Sequence, residues 1–554
     1  MTWLAGLALN YRKAMSLLLL LQLCHAALIS VIPVFFQKIV SLALTDVTTF
    51  LLPSGLRLLG FLAMAFLLTA IFQSCSGYIA CLFSSDLLKQ LQLEFFEKIS
   101  HLPLSYFQHQ SAGEFMTKFN HDIGLVQGFV AGSLPMVLRE IITILFAMVI
   151  LFFSCSAFLM IVSLGMVVLV SFLIMKLNRV LKKYALKQRA GWGRINKVFD
   201  ETIQGIDTIK TFAGEEQVRQ HFKEQTGLLR KLSVKAGITT AVFSPLIDLM
   251  SKLGGLVLVL IAYCLIIRES LLTDRFLLFF FYAGLLQASV SSLVQGLSNI
   301  QPQLVSAGNI ASFFSEKSEV LNDSPGSAIL EKPCFIRAKG LYFSYPGGRS
   351  LFKDAGFEAP ENRITLIQGP SGSGKSTLIN LLLGFYLPSK GKIFFGPDPI
   401  ENFSRKELRE KISVATQYHY IFHDTLKRNL SIASPDATDD EMIRALERAH
   451  LGEFLSRLPQ GINAVMDPRG KGISGGEKQR ISMARILLRK SPVIILDEPW
   501  SNLDENGRDI LIRVVNRCRL DSTILVLTHD IPPGLETDRV YHLMPGQGEF
   551  KQVK

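Results

Sequence analysis

Hydrophobic residues cluster in six long runs along the first 310 positions of the chain. The runs cover residues 15–40, 56–83, 135–154, 157–176, 243–267 and 276–297. Each is close to the ~20 apolar residues that a helix needs to cross a bilayer. The loops after the second and fourth runs are long and rich in Lys and Arg, as cytoplasmic loops are. This pattern predicts six membrane spans with both long loops and both chain termini in the cytoplasm.

Residues 316–334 are polar and rich in turn formers, and beyond them the pattern changes. Short β-rich runs alternate there with amphipathic segments at helical spacing. The β-rich runs cover residues 364–368, 393–395, 412–416, 493–496 and 523–528. Such alternation predicts a mostly parallel sheet with helices on both faces. We therefore expect a polytopic α-helical membrane domain at 1–315, a linker at 316–334 and a soluble α/β domain at 335–554.

Composition supports the membrane class and excludes others. Of the 554 residues 49% are hydrophobic and only 19% are charged, which is unusual for an entirely soluble chain. The net charge of +12 arises largely beside the apolar runs, so it does not indicate nucleic-acid binding. The seven cysteines are scattered and lack the spacing of a zinc site or a disulfide framework, which predicts reduced packing residues.

A phosphate-binding loop follows the β-rich run at 364–368. Its glycines let backbone N–H groups turn onto phosphate oxygens at a helix N-terminus. In the same pattern Lys375 neutralises the β and γ phosphates, and Ser376 supplies a hydroxyl to Mg²⁺. The residues predicted to bind ATP here are Gly369, Pro370, Ser371, Gly372, Ser373, Gly374, Lys375, Ser376 and Thr377.

Two carboxylates close the later β-rich run at 493–496. Asp497 ends a buried strand, where it can hold Mg²⁺ through water, and Glu498 is positioned to polarise the attacking water. Together with the phosphate loop these residues predict an ATP hydrolase with ATP and Mg²⁺ as cofactors.

The segment ISGGEKQR at 473–480, ahead of Asp497, resembles the LSGGQ signature of ATP-binding cassette (ABC) proteins. Other parts of that family's pattern stand in the same order: Tyr345 in FSYP, Gln417, the SNLD segment that ends at Asp504, and His529. The resemblance covers residues 335–530. It implies that Tyr345 stacks on adenine, that Asp504 belongs to the ATP site, and that Gln417 and His529 act with Glu498 in catalysis.

The same resemblance implies a head-to-tail dimer of cassettes. In such a dimer ATP lies between the phosphate loop of one cassette and the signature of the other. The signature residues expected at the ATP site are Ser474, Gly475, Gly476 and Glu477. The magnesium ligands implied are Ser376, Gln417 and Asp497.

Three departures from the family pattern stand out. Glu477 replaces the usual Gln. Trp500 stands where a small residue is usual, and we expect it to alter packing at the dimer interface. Asp467 and Pro468 replace the Gly-Glu pair that exporters generally carry ahead of the signature, which weakens an inference about that loop's contact with the membrane domain.

The first domain resembles the six-span half-transporters of ABC exporters. Residues 102–123 and 201–216 resemble their two cytoplasmic coupling segments, which convert closure of the cassettes into reorientation of the spans. Solvated helical hairpins are the alternative interpretation.

Candidate substrate residues are few. Ionisable side chains are costly in lipid, so those in or near the spans are candidates: His25, Arg139, Glu140, Asp248 and Lys252. Helix packing is the favoured role for Arg139 and Glu140, and Asp248 can pair with Lys252 at i, i+4. A polar cavity stripe is the candidate role of Gln287, Gln295 and Asn299.

These features predict an ATP-driven exporter of a peptide or other amphipathic substrate, acting by alternating access as a homodimer in a bacterial-type plasma (inner) membrane. A heterodimer with a second half-transporter is the alternative assembly. The alternative functions are a flippase for a lipid or lipid-linked substrate, an importer built on the exporter fold, and an ATP-gated regulatory or channel-like protein. The expected partners are the bilayer and a small or peptide substrate of unknown identity, without nucleic acid.

Overall fold

The computed structural model describes most of the chain. The described ranges are 11–45, 53–108, 112–154, 157–267, 273–319, 334–345, 350–467, 473–501, 503–544 and 548–553, with single residues 6, 110 and 348. Many side chains within 157–190 and 240–265 lie outside this description. The chain forms two compact units, one of Met1–His101 with Gln110–Glu316 and one of Leu102–His109 with Lys317–Lys554.

The first unit is helical throughout its described part. Its helices are α1 (Arg12–Thr45), α2 (Pro53–Ser100), α4 (Ala112–Thr117), α5 (Ile123–Gly128), α6 (Leu134–Ser154), α7 (Ala157–Gln204), α8 (Ile206–Thr211), α9 (Glu215–Ile267) and α10 (Thr273–Ser315). Two π-helical turns, Lys118–Asp122 and Phe129–Ser133, join α4, α5 and α6 into one rod. A short α3 (Leu104–Gln108) belongs to the second unit.

Among the described residues, four helices are long and apolar enough to cross a membrane. They are Arg12–Leu42, Gly55–Ser100, Gly113–Ser154 and Phe276–Ser315. These contain the first, second, third and sixth predicted runs. The runs at 157–176 and 243–267 lie within the continuous helices α7 and α9, where many side chains are outside the described part. The count of six spans therefore stays a prediction.

A buried carboxylate ties the polar end of the third span to α10. Asp122 is only 2% exposed, and its two oxygens accept hydrogen bonds from Ser306 Oγ at 2.7 Å and Asn309 Nδ2 at 3.2 Å. The ring of Phe95 on α2 also stacks on the ring of Phe313 on α10, with centroids 4.2 Å apart. These helices thus continue as packed rods beyond their apolar runs.

The candidate substrate residues have mostly local partners. Arg139 Nη2 lies 2.5 Å from Glu140 Oε1 on the same helix, and the packing role favoured from the sequence stays a prediction. His25 is 8% exposed, and its Nδ1 has no hydrogen-bond partner among the described residues. Gln295 donates to Asn299 at 3.3 Å on an exposed helix face. The predicted pairing of Asp248 with Lys252 falls outside the described residues.

The second unit carries the α/β domain, built on two sheets. Its strands are β1 (Ile336–Ser344), β2 (Ser350–Ala359), β3 (Ile364–Gln368), β4 (Lys390–Phe395), β5 (Asp398–Pro399), β6 (Ile412–Ala415), β7 (Val493–Asp497), β8 (Thr523–Thr528), β9 (Arg539–Leu543) and β10 (Phe550–Gln552). The six-stranded sheet has the order β10-β9-β3-β8-β7-β6 and is parallel except at β10. A smaller antiparallel sheet has the order β2-β1-β4-β5.

Helices cover both faces of the six-stranded sheet, as predicted. They are α11 (Lys375–Leu382), α12 (Arg405–Lys411), α13 (Leu426–Ser431), α14 (Asp439–Arg448), α15 (Gly452–Arg457), α16 (Gly475–Arg489) and α17 (Glu505–Cys518). Along β7, Ile494 and Leu496 join one apolar cluster while Val493 and Ile495 join the other. Because both faces of the central strands pack against apolar side chains, the sequences of these strands are continuous hydrophobic runs.

The smaller sheet departs from the sequence prediction. The run at 393–395 does form a strand, β4, but it pairs antiparallel with β1 rather than joining the parallel sheet. Gly391 in β4 has a φ of +87°, and a Cβ at this position would lie 2.1 Å from the carbonyl oxygen of Gly340. This close approach of two backbones requires glycine.

We expect Gly391→Ala to lower the free energy of unfolding by more than 3 kcal/mol, about what a steric clash with fixed backbone costs. Gly396→Ala is the matched control, because its φ is +61° but an added Cβ meets no atom within 4 Å. It should cost only the ~1 kcal/mol of a left-handed alanine. Thermal unfolding followed by the fluorescence of the buried Trp500, with Trp3 and Trp192 replaced by Phe, measures both. Equal losses in the two variants would contradict the steric argument.

Candidate functional site

The loop after β3 has the shape of a phosphate cradle. Gly372 and Gly374 have φ values of +78° and +107°, and α11 begins at Lys375 immediately afterwards. Successive N–H groups can converge in such a turn, next to the positive end of the helix dipole. Ser373 is 7% exposed, and its hydroxyl has no hydrogen-bond partner among the described residues. An added Cβ on Gly369 would lie 2.7 Å from that hydroxyl, which explains the glycine there.

Lys375 forms a buried ion pair with the predicted catalytic carboxylate. Its Nζ lies 2.6 Å from Glu498 Oε1 and donates to the Gly369 carbonyl at 2.6 Å. The two side chains are only 8% and 11% exposed. An ammonium has three donors, so these two contacts leave one for a phosphate oxygen.

Glu498 also contacts His529, the residue predicted to act with it in catalysis. His529 Nδ1 lies 2.7 Å from Glu498 Oε2, and Gln368 Nε2 donates to the His529 carbonyl at 3.0 Å. Glu498 has a φ of +48°, and its N–H donates to the Leu527 carbonyl at 2.8 Å. A non-glycine residue in this conformation is strained, and such strain concentrates at functional sites. Lys375, Glu498 and His529 thus form one hydrogen-bonded chain.

Asp497 and Ser376 provide the oxygens expected for magnesium. Ser376 Oγ donates to Asp497 Oδ2 at 3.4 Å. Burial raises the pKa of Asp497, and the negative charge of Glu498 raises it further. A divalent cation would offset both effects, and carboxylate and hydroxyl oxygens are ligands that Mg²⁺ accepts. These two residues fit the metal, together with the phosphates that a bound nucleotide brings.

Trp500 lies inside the cassette, which corrects the expectation that it alters the dimer interface. Its side chain is fully buried, and Nε1 donates to Thr528 Oγ1 at 3.1 Å and to Asp530 Oδ1 at 2.9 Å. Burial would raise the pKa of Asp530, but hydrogen bonds from Trp500 and Thr528 and the charges of His529 and Arg508 lower it. The indole therefore holds the two residues that flank His529.

The signature segment forms the start of α16. Ser474 is the N-cap, and its hydroxyl accepts from the Glu477 N–H at 3.2 Å while Glu477 Oε2 accepts from the Ser474 N–H at 2.7 Å. This reciprocal pair is a capping box. Among the described residues, a Cβ on Gly475 would meet no atom within 4 Å, whereas one on Gly476 would lie 3.2 Å from Leu503. The helix start is therefore open above Gly475.

The remaining predicted residues are placed as follows. Tyr345 lies edge-on to Phe343 and Tyr386, with its hydroxyl 3.3 Å from Thr377 Oγ1. Asp504 caps α17 by accepting from the Gly507 N–H at 3.0 Å. Pro370, Ser371 and Gln417 are exposed.

The hydrogen bonds and ion pairs above involve some of the predicted site residues and leave the roles of others as predictions. Lys375, Ser376, Asp497, Glu498 and His529 are linked by the contacts above. Within the described part of the chain, no hydrogen bond links Gln417 to Ser376 or Asp497, so its metal role stays a prediction. The adenine role of Tyr345 also stays a prediction. Asp467 is described, but Pro468 lies outside the described residues.

The sequence prediction missed three residues of this network: Gln368, Thr528 and Asp530. The signal was available, because all three are polar residues at or just beyond the carboxyl ends of β3 and β8. Only the parallel pairing of these strands, with Gln368 opposite Thr528, shows that they meet.

We expect Trp500→Phe to lower the free energy of unfolding by ~1–3 kcal/mol, because both indole hydrogen bonds are lost while an aromatic ring still fills much of the site. Trp500→Ala should cost ~3–5 kcal/mol, since it also opens a cavity in a packed core. Denaturant unfolding monitored by circular dichroism gives both values. A loss near zero for Trp500→Phe would show that the hydrogen bonds do not anchor the loop.

Two family models match the chain side by side. Residues 15–290 match the ABC transporter transmembrane region, and residues 352–501 match the ABC transporter model. The match boundaries leave residues 291–351 between the two models.

Curated relatives match along most of their length. An ATP-dependent lipid A-core flippase of Aromatoleum aromaticum is 28% identical over 482 residues, which cover 86% of this chain and 79% of the relative. A multidrug resistance ABC transporter ATP-binding and permease protein of Lactococcus lactis subsp. lactis is 26% identical over 482 residues, covering 86% and 81%.

A solved structure of a bacterial Atm1-family ABC exporter with ATP bound has a TM-score of 0.86. It is 20% identical and covers 98% of this chain and 95% of that chain. The likeness shows the exporter fold. With both halves of the chain matched in order, the protein belongs to the ABC transporters, as a helical transmembrane region fused to a cassette that couples ATP hydrolysis to transport.

Proposed function

We propose that this chain is half of an ATP-driven exporter that moves an amphipathic, lipid-like substrate by alternating access. The observation that carries the proposal is the hydrogen-bonded chain of Lys375, Glu498 and His529, which joins the phosphate loop, the catalytic carboxylate and the histidine that follows β8. A regulatory or channel-like protein has no need to keep this hydrolytic set. We assign the membrane domain to 1–315, the linker to 316–334 and the cassette to 335–554, with six spans.

The contacts of Glu498 suggest how hydrolysis is controlled. Its carboxylate is shared between the Lys375 ammonium and the His529 ring. When that ammonium turns to phosphate oxygens, Oε1 is released to accept a hydrogen bond from the attacking water, while His529 remains to orient Oε2. Mg²⁺, when held by Ser376 and Asp497, supplies charge neutralisation at the phosphates. Gln417 is proposed as a further ligand.

A homodimer is the proposed assembly. The chain carries both a phosphate loop and a signature, so two copies arranged head to tail would complete two ATP sites. The open space above Gly475 supports this arrangement, because a partner's nucleotide needs room at that helix start. A heterodimer with a second half-transporter is the alternative.

A coupling role for residues 102–123 is supported by the way the compact units divide. Helix α3 belongs to the unit that contains the cassette, and the Tyr386 hydroxyl donates to Gln108 Oε1 at 2.8 Å. The second proposed coupling segment, 201–216, contains the short exposed helix α8. We propose that the cassette and both termini lie in the cytoplasm at a bacterial inner membrane.

A lipid-like substrate is favoured over a peptide by the relatives. Several are named lipid A-core flippases, and others are named multidrug resistance transporters. An amphiphile with a large apolar part is the chemistry that these names share. A peptide, which the sequence first suggested, is the second candidate, and an importer on the same fold is the third.

We expect the purified chain in lipid nanodiscs to hydrolyse ATP, and Glu498→Gln to reduce the rate at least ~100-fold, the usual effect of removing a general base. Glu447→Gln, which changes an exposed carboxylate on α14, is the matched control and should keep the full rate. A colorimetric phosphate assay measures all three. An inactive wild-type chain that still binds ATP would contradict the homodimer and indicate a missing partner.

We also expect glycolipids with several acyl chains to change the ATPase rate, and to move between leaflets of proteoliposomes only when ATP is supplied. Glu498→Gln proteoliposomes with the same lipid give the background. Cationic amphipathic peptides form the second arm of the assay. Stimulation and uptake of peptides without any effect of lipids would overturn the lipid-like substrate and restore the peptide.

A further inference from the structure

The start of the signature helix α16 carries a buried negative charge. Glu477 is 7% exposed and closes the capping box with Ser474. Burial would raise the pKa of Glu477, but the Ser474 N–H and hydroxyl together with Arg457 hold it below its usual range. The carboxylate is therefore ionised at neutral pH.

That charge lies where the proposed function requires an anion to bind. The Ser474 hydroxyl is engaged by Glu477, since its oxygen accepts from the Glu477 N–H. The N–H groups of Gly475 and Gly476 lie in the first helical turn, where backbone donors have no intrahelical partner. These donors suit a γ-phosphate. A carboxylate one turn away repels that phosphate unless a cation cancels its charge.

Arg457 is the cation in contact with this carboxylate. Its Nη2 forms an ion pair with Glu477 Oε1, while Oε2 of the same carboxylate stays in the capping box. Arg457 is the last residue of α15, and its guanidinium lies 5.8 Å from the centroid of the Phe454 ring. The side chain of Arg457 is 65% exposed and that of Glu477 only 9%, so the arginine adds its charge from the solvent side.

We propose that Arg457 is a positioning residue of the composite ATP site. It cancels the charge of Glu477 and keeps one carboxylate oxygen away from the phosphate, so that the N–H groups of Gly475 and Gly476 can bind the nucleotide of a second chain. This inference rests on the proposed function and deepens it. The competing interpretation is an exposed ion pair of the common kind, which contributes almost nothing.

Four variants separate these interpretations: Arg457→Gln, Glu477→Gln, the double variant and Arg457→Lys. We expect Arg457→Gln to raise the KM for ATP roughly 5- to 30-fold with kcat at saturation nearly kept, because an uncompensated charge weakens binding. Glu477→Gln should leave the KM equal or lower, since Gln can still cap the helix and Arg457 then adds a net positive charge. The double variant and Arg457→Lys should each bring the KM back to within about twofold of the wild type.

The salt dependence of the KM and a control variant at another arginine test whether the effect is electrostatic. The KM increase in Arg457→Gln should shrink as ionic strength rises from about 0.05 to 0.5 M, because the repulsion is partly screened. Arg444→Gln, at an exposed position on α14, should leave the KM unchanged at every salt concentration. Thermal unfolding of each variant checks that the fold is intact.

Two outcomes would overturn the inference. One is an unchanged KM in Arg457→Gln, and the other is a raised KM that Glu477→Gln does not rescue, which would indicate a helix-packing role. Both require an active wild-type chain whose activity Glu498→Gln abolishes. Failure of the proposed function is distinguishable, because in that case the wild-type chain itself hydrolyses no ATP.

Discussion

The parallel register of β3, β8 and β7 is the constraint on which the hydrolytic site depends. Gln368 lies opposite Thr528, and Asp497 lies opposite Leu527, so the three strands end at one edge of the sheet. Lys375, Glu498 and His529 each follow one of these strand ends by seven positions or fewer. Ligands of open α/β sheets bind at this edge, because the loops that leave it can converge. The strands are apolar on both faces, so the hydrophobic cores above and below fix the register that the charges require.

Much of the cassette could be predicted from sequence, because its signals are local. The β-rich runs at 364–368 and 523–528 match β3 and β8 to the residue, and strand β7 extends the run at 493–496 by Asp497 alone. The phosphate loop is a contiguous motif whose glycines are required by backbone conformation. What the sequence could not give was the antiparallel sheet, since a short β-rich run has no feature that tells its pairing direction.

The polar network beside Glu498 was harder to predict for a different reason. Trp500 departs from the family pattern, yet its role depends on a contact with Asp530 that spans 30 positions of sequence. Its side chain fills the core below β8 and supplies one N–H to the loop that carries His529. In the membrane domain the pattern predicts the four spans found among the described residues, but it does not identify the substrate. Arg139 pairs with its neighbour Glu140 and Asp122 accepts hydrogen bonds from Ser306 and Asn309, and contacts of this kind within the protein do not identify a ligand.

Charge compensation links the two halves of the proposed composite site. In one half, the carboxylates of Asp497 and Glu498 are buried together, and the Lys375 ammonium is the cation that offsets them. In the other, Glu477 is buried at a helix start and Arg457 offsets it from the solvent side. An unpaired buried charge costs several kcal/mol, so each carboxylate had to come with its cation. The two pairs differ in the position of the cation. Lys375 lies in the phosphate loop, where its ammonium could move from the carboxylate to a phosphate. Arg457 contacts Glu477 from the side that faces solvent. Under the proposed function, the Lys375–Glu498 pair would exchange partners during the transport cycle, and the Arg457–Glu477 pair would stay closed through it.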